Sequence, residues 1–194
     1  MESESKDAAG HGPRAWRRLS SEVAGDYGFF RVRKDRLESP RNGRQEDYYI
    51  LDIPDWVAVV AVTDDDHVVM VEQIRHGTGE PTLEFPSGII DPGEDPVKAG
   101  ERELEEETGC RGGKSRLLAV FRPNPAMQSN RMHVVQVAAA TRVGEPRQDD
   151  GEDVHLRMIP AAEIPKLIAK GKIDHAMAVM TWYYFEKRGA MEWG

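Results

Sequence analysis

Residues Gly88-Ile89-Ile90-Asp91-Pro92-Gly93-Glu94-Asp95-Pro96-Val97-Lys98-Ala99-Gly100-Glu101-Arg102-Glu103-Leu104-Glu105-Glu106-Glu107-Thr108-Gly109-Cys110 decide how this chain is read. Asp91-Pro92-Gly93 is a turn, because Pro presets φ and Gly accepts a positive one. Asp95 before Pro96 supplies an N-cap and a first helical residue, and Gly109 supplies a left-handed stop. A helix from about Pro96 to Thr108 is therefore bracketed at both ends. Its charge pattern is unusual. Five glutamates and one arginine fall between Glu101 and Glu107, at the end where the helix dipole is already negative and like charges four apart repel. At 3.6 residues per turn, Glu107 lies about 40° to one side of Glu103 and Glu106 about 60° to the other. Three carboxylates thus share one face, while Leu104 points elsewhere to anchor the helix. A charge run on a helix is ordinarily a solvated face. Hard oxygen donors clustered this way also suit Mg²⁺ or Mn²⁺, which in turn take phosphate oxygens.

The same stretch resembles the Nudix signature, G-x5-E-x7-R-E-U-x-E-E-x-G-U with U aliphatic. Gly88, Glu94, Arg102, Glu103, Leu104, Glu106, Glu107, Gly109 and Cys110 stand at the specified positions, and Cys110 alone departs from the usual aliphatic residue. The resemblance implies that Glu103, Glu106 and Glu107 are metal ligands, completed by the backbone carbonyl of Ser87. It implies that Glu103, Glu107 and Arg102 belong to the catalytic group, with Arg102 orienting the carboxylates by pairing with one such as Glu94. The implied cofactor is Mg²⁺, with Mn²⁺ as a substitute.

Elements outside the box are similar to the ADP-ribose pyrophosphatase and nucleoside-diphosphate-sugar hydrolase branch. Val71-Glu72-Gln73-Ile74-Arg75 looks like that branch's V-x-Q-Y-R element, whose Arg reaches a substrate phosphate; a guanidinium suits that task through its paired donors. Without the resemblance Arg75 is a surface residue at a strand end. Leu83-Glu84-Phe85-Pro86-Ser87-Gly88 resembles the lead-in L-E-x-P-A-G, which implies that Glu84 is a substrate-binding residue or a further group beside the metal; in isolation it is an ordinary exposed carboxylate. Asp149-Asp150-Gly151-Glu152-Asp153 is similar to the acidic loop carrying the general base, here Glu152, with Asp150 and Asp153 as neighbours; an acidic turn explains the same residues without chemistry. Gln128, Asn130 and Arg131 occupy the loop where such enzymes contact the terminal sugar, and a plain loop explains them equally. Lys170-Gly171-Lys172-Ile173-Asp174 also matches the branch.

Outward from the box, the pattern is α+β. Trp16 to Ile53 is strand-like, with Phe29 to Val32 and Tyr48 to Leu51 flanking a turn at Ser39–Gly43 and reading as an antiparallel hairpin. Trp56–Val62 is a continuous apolar run of buried-strand length, and His67–Val71 is its expected partner. Leu117–Phe121, His133–Ala138 and Val154–Met158 follow as strands. Helices are expected at Ala162–Lys170 and Asp174–Lys187. Strands interrupted and closed by helices argue for a mixed sheet covered on its faces. The resemblance implies a Nudix α/β/α sandwich with a mixed central sheet, preceded by an N-terminal antiparallel β-hairpin segment. The expected divisions are a flexible tail (1–14), an N-terminal β segment (15–53) and the hydrolase domain (54–194). In this branch the N-terminal segment crosses to a second subunit and helps to build the base pocket, which implies a homodimer.

The chain carries 39% hydrophobic and 31% charged residues, 26 basic against 34 acidic for a net charge of −8, and a single cysteine. This balance excludes a general attraction for nucleic-acid backbones. No apolar run reaches membrane-spanning length, and the polar first residues lack the apolar core of a signal peptide, so a cytoplasmic protein without internal disulfides is expected. His76, His133 and His155 have no zinc-type spacing and read as surface or satisfied residues. The activity implied is metal-dependent hydrolysis of the diphosphate of a nucleoside diphosphate sugar, ADP-ribose foremost, yielding a nucleoside monophosphate and a sugar phosphate. Other substrates of the class are GDP-mannose, a dinucleoside polyphosphate or coenzyme A. The competing class is a non-catalytic nucleotide-sugar sensor, which should have lost box carboxylates that this chain retains.

Overall fold

The computed structural model describes residues 12–147 and 153–189. They fall into two compact units, one of residues up to Ile53 with Met127–Ser129, the other of Pro54–Ala126 and the chain from Asn130 onward.

The first unit is a three-stranded antiparallel meander, β1 (Arg17–Asp26), β2 (Arg31–Glu38) and β3 (Gln45–Asp52), in the order β1-β2-β3. The hairpin expected from sequence is β2 and β3, paired from Arg31↔Asp52 to Glu38↔Gln45. The turn between them closes on Gly43, whose φ of 72° needs a residue without Cβ. β1 is a strand that hydrophobic alternation does not announce, because it is held largely by charge. Arg17 meets Glu38 at 2.7 Å, and the Ser21 hydroxyl donates to the buried Asp35 at 2.6 Å. Arg33 joins Asp35 at 3.0 Å and Asp52 at 2.9 Å. Met127–Ser129 runs beside β3, with Leu51 N–H donating to Met127 O (2.8 Å) and Ser129 N–H to Leu51 O (3.1 Å).

The second unit holds β4 (Trp56–Val62), β5 (His67–Arg75), β6 (Glu80–Glu84), β7 (Ser87–Ile89), α1 (Pro96–Thr108), β8 (Cys110–Arg111), β9 (Lys114–Phe121), β10 (Met132–Ala138), β11 (Thr141–Arg142), β12 (His155–Pro160), α2 (Ile164–Ala169) and α3 (Ala176–Arg188). The sheet runs β12-β5-β4-β10-β9, with β6 on β5 and β7 on β4. β4 and β10 are parallel and the other pairs antiparallel, so the sheet is mixed. β4 reads as an unbroken apolar run because both its faces are covered. Val57, Val59 and Ala61 pack with Ala99 and Leu104 of α1. Val60, on the opposite face, packs with Ile164, Ala178 and Trp182 of α2 and α3. Alternation along the strand thus sends successive residues to two helical layers, the three-layer α+β arrangement expected. β6 escapes sequence reading because Glu80-Pro81-Thr82-Leu83-Glu84 carries a proline and little alternation; Pro81 is tolerated in a five-residue strand that pairs only with β5. Among the described residues no helix is long and apolar enough to cross a membrane.

Candidate active site

α1 forms where its caps dictate. Asp95 Oδ1 accepts from the N–H groups of Val97 (2.9 Å) and Lys98 (3.2 Å), and Gly109, at φ 67°, donates to Glu105 O at 2.8 Å. The crowded carboxylates of its last turns are each compensated. Glu105 faces Arg111 and Arg147 (both 2.7 Å). Glu101 faces Lys98 at 2.7 Å, and Arg102 is the hub for Glu103 and Glu106. Its Nε and Nη2 reach Glu94 at 3.1 and 3.0 Å, and Nη1 reaches Glu103 at 2.8 Å and Glu106 at 3.1 Å. Nη2 also donates to the carbonyl of Ile89 (3.0 Å), tying the helix to the end of β7. The bond with Glu94, reinforced by Glu103 and Glu106 against the opposing effect of burial, raises the pKa of Arg102, so it is a permanent cation here.

Glu107 is buried and accepts from the Ser87 N–H at 3.1 Å. Glu103 lies against Gly88, where any Cβ would overlap its carboxylate. The glycine at this position therefore has a steric cause in this chain: the Glu103 carboxylate occupies the space a side chain would take. Ser87–Gly88 and the acidic face of α1 are thus in direct contact.

A second cluster stands on β5 and β6. Arg75 Nε and Nη2 pair with the two oxygens of Glu84 at 2.8 and 2.6 Å. Thr82 Oγ1 donates to Glu84 at 2.5 Å, and His175 Nδ1, at the start of α3, lies 2.9 Å from Oε2. That last approach is ionic in distance, but the ring makes no directed hydrogen bond through this nitrogen. Burial pushes the Glu84 carboxyl up, yet the hydrogen bonds from Arg75 and Thr82, with the His175 ring close by, together outweigh it and hold it well below the usual carboxylate range. Arg75 is shifted up by its bond to Glu84, against burial, with smaller contributions from the charges of Glu84 and Glu107. The guanidinium therefore feels the charge of Glu107 on α1 as well as its bonds to Glu84 on β6.

Arg75, Glu84, Ser87, Gly88, His175 and Thr181 share the wall of one cavity of about 340 Å³, with apolar side chains completing it. The structure thus brings together Arg75, Glu84 and Ser87 around a cavity, and Arg102, Glu103 and Glu106 through shared hydrogen bonds, with Glu107 joining the two groups through Ser87. Glu84 is not the exposed carboxylate its position in the sequence suggests; it is nearly inaccessible to water.

Gln128 bridges to Leu51 within the first unit. Asn130 and Arg131 belong to the second, where the Arg131 N–H donates to Asp55 at 2.7 Å and Asn130 is buried with no amide partner among the described residues. Glu152 and Asp150 lie outside the described residues, and the exposed Asp153 meets His155 at 3.0 Å. His133 Nε2 approaches Asp55 at 3.1 Å.

His175, Thr82 and Thr181 are members that sequence reasoning missed. Neither His175 nor Thr181 has a spacing that betrays it, because their place depends on how α3 packs on the sheet. Thr82, two residues before Glu84 on one strand face, was legible in principle.

Among the described residues, no three His, Cys, Asp or Glu side chains stand as a preformed metal cage. Glu103 and Glu106 are bonded to Arg102, and Glu107 to the Ser87 amide. The donor set nevertheless fits a hard divalent cation: carboxylates on one helix face, with the β7 backbone against them.

Comparison with known proteins agrees with this arrangement. Residues 54–180 match the NUDIX domain model. An ADP-ribose pyrophosphatase of Bacillus subtilis is 29% identical over 78% of this chain and 82% of its own. A methanol dehydrogenase activator of Bacillus methanolicus is 29% identical over 84% and 88%. A solved structure titled as an ADP compounds hydrolase superposes with a TM-score of 0.80 at 25% identity, covering 92% of this chain and 96% of that one. With its signature helix and the strands that present it inside the matched span, the chain belongs to the NUDIX domain family.

Proposed function

We propose that the protein is a divalent-metal-dependent pyrophosphohydrolase that cuts the diphosphate of a nucleoside diphosphate sugar, ADP-ribose foremost, into AMP and ribose 5-phosphate. The observation that carries this reading is the contact of the α1 carboxylate face with Ser87–Gly88, next to Arg75 and the cavity. The names of the relatives, ADP-ribose pyrophosphatase and ADP compounds hydrolase, support the substrate class.

Glu103, Glu106, Glu107 and the Ser87 carbonyl are the residues proposed to hold Mg²⁺, with Mn²⁺ as a substitute. When bound, the ion supplies charge neutralisation at the diphosphate and lowers the pKa of an attacking water. Arg102 keeps Glu103 and Glu106 on the side of the helix facing Gly88 and limits their mutual repulsion before any cation arrives. Arg75 has five N–H donors, of which two are spent on Glu84; the remaining ones are available to a phosphate oxygen. Glu152 is the proposed acceptor of the water's proton, on the strength of the resemblance of its acidic loop.

Purified protein incubated with ADP-ribose, GDP-mannose, ADP-glucose, UDP-glucose, NADH and diadenosine polyphosphates tests the reading through release of monophosphates, with and without EDTA. Metal-dependent turnover of sugar-linked members is expected, abolished by EDTA. Glu107→Gln is expected to lower kcat on the order of 10²-fold or more with its circular dichroism unchanged. Near-normal turnover of that variant, or binding without turnover by the wild type, contradicts the assignment.

A further inference from the structure

The cavity carries a buried polar group that has no partner among the described residues. Thr181, in the second turn of α3, is fully buried, and its hydroxyl makes no hydrogen bond among the described residues. A threonine inside a helix ordinarily turns its hydroxyl back onto the carbonyl four residues earlier; Thr181 does not, although the hydroxyl of Thr108 in α1 does so with Leu104. Leaving a buried hydroxyl unpaired is costly, and a site built only for packing would carry valine, its isostere. Thr181 lines the same cavity as Arg75, Glu84, Ser87 and His175. The cavity also offers Trp56 and Met177, apolar surfaces suited to the C–H face of a ring. At about 340 Å³ it has the volume of a small-ligand pocket.

We propose that Thr181 is a specificity-determining residue: its hydroxyl hydrogen-bonds a hydroxyl of the sugar phosphate half of the substrate, seated in this cavity. The inference rests on the nucleoside-diphosphate-sugar reading and assigns the non-nucleotide half to the α3 wall. A buried hydroxyl that awaits a ligand hydroxyl discriminates strongly, because an analogue without one leaves it unpaired. The apolar walls accept the ring, and Thr181 reads its oxygen.

Isothermal titration of the full-length protein with ribose 5-phosphate and, separately, with AMP tests this, using wild type, Thr181→Val and Thr181→Ser. Valine keeps the volume and removes the hydroxyl, whereas serine keeps the hydroxyl. Thr181→Val is expected to weaken ribose 5-phosphate about tenfold and to leave AMP unchanged, with Thr181→Ser binding close to wild type. In turnover of ADP-ribose, Thr181→Val is expected to raise KM with little change in kcat. Its Tm in the absence of ligand is expected to hold or rise, since an unpaired polar group has been removed. Unchanged ribose 5-phosphate affinity in Thr181→Val, or an equal loss for AMP, overturns the proposal. These outcomes are separable from failure of the functional reading, which appears as absence of ADP-ribose hydrolysis by the wild type.

Discussion

A carboxylate withdrawn from water persists as an anion only when donors replace the hydration it has lost. Glu84 is such a group, ringed by Arg75, Thr82 and His175. Arg75→Ala removes two of its bonds and leaves the anion buried, so a loss of about 2–4 kcal/mol in urea unfolding at pH 7 is expected. The pH dependence has a definite sign. Because the folded-state pKa of Glu84 is depressed, its contribution is fully present above the unfolded value of about 4.3 and fades as pH falls through the lower folded value. The stability difference between wild type and Glu84→Gln is therefore expected to be level above about pH 5 and to shrink steadily below pH 4. A difference that stays level down to pH 2 would show that the carboxylate is not held in this way. At this scale a resemblance in the sequence suggested Arg75 as a phosphate ligand; that two of its donors are engaged within the protein became evident only from the pairing of β5 with β6.

At the scale of single elements, α1 was legible almost to the residue, because each of its boundaries is made by neighbours in sequence. Asp95 accepts from the first amides and Gly109 turns left-handed at the far end. The two caps differ in what they tolerate. Asp95→Ala loses side-chain bonds alone and should cost about 1 kcal/mol. Gly109→Ala must hold a positive φ and would also drive its Cβ into the Gly144 carbonyl, so its cost should clearly exceed about 1 kcal/mol. Thermal unfolding of the two variants checks the order; equal losses would mean that the left-handed cap carries no strain. β1 was legible only as part of the strand-like stretch that begins at Trp16, its bounds being set by cross-strand ion pairs, and β6, which contains Pro81, was not legible. Such elements exist only once a partner strand is in place.

For the whole molecule, the three-stranded unit leaves Val23, Tyr27, Phe29 and Tyr49 more than half exposed. Exposed apolar side chains in one small sheet and its turn are the kind of surface that associates. Light scattering is expected to return twice the chain mass, consistent with a homodimer formed through this segment. A monomer at working concentration refutes that expectation, and Phe29→Ser should shift a genuine dimer toward monomer.

What the sequence determined by itself was local or periodic. The signature helix follows from its caps, the doubly covered β4 from its unbroken apolar run, and the likeness to a metal-dependent phosphohydrolase from seven charged and glycine positions at set spacing. What only the tertiary structure decided was which distant side chains meet. Sheet pairing puts Glu84 against Arg75, packing of α3 brings His175 and Thr181 to the same cavity, and the close approach of β7 to α1 sets the Glu103 carboxylate where a side chain at Gly88 would stand. Spacing along a chain fixes geometry within one helix or strand. Contacts between elements depend on register and on how layers stack, and no single residue encodes those.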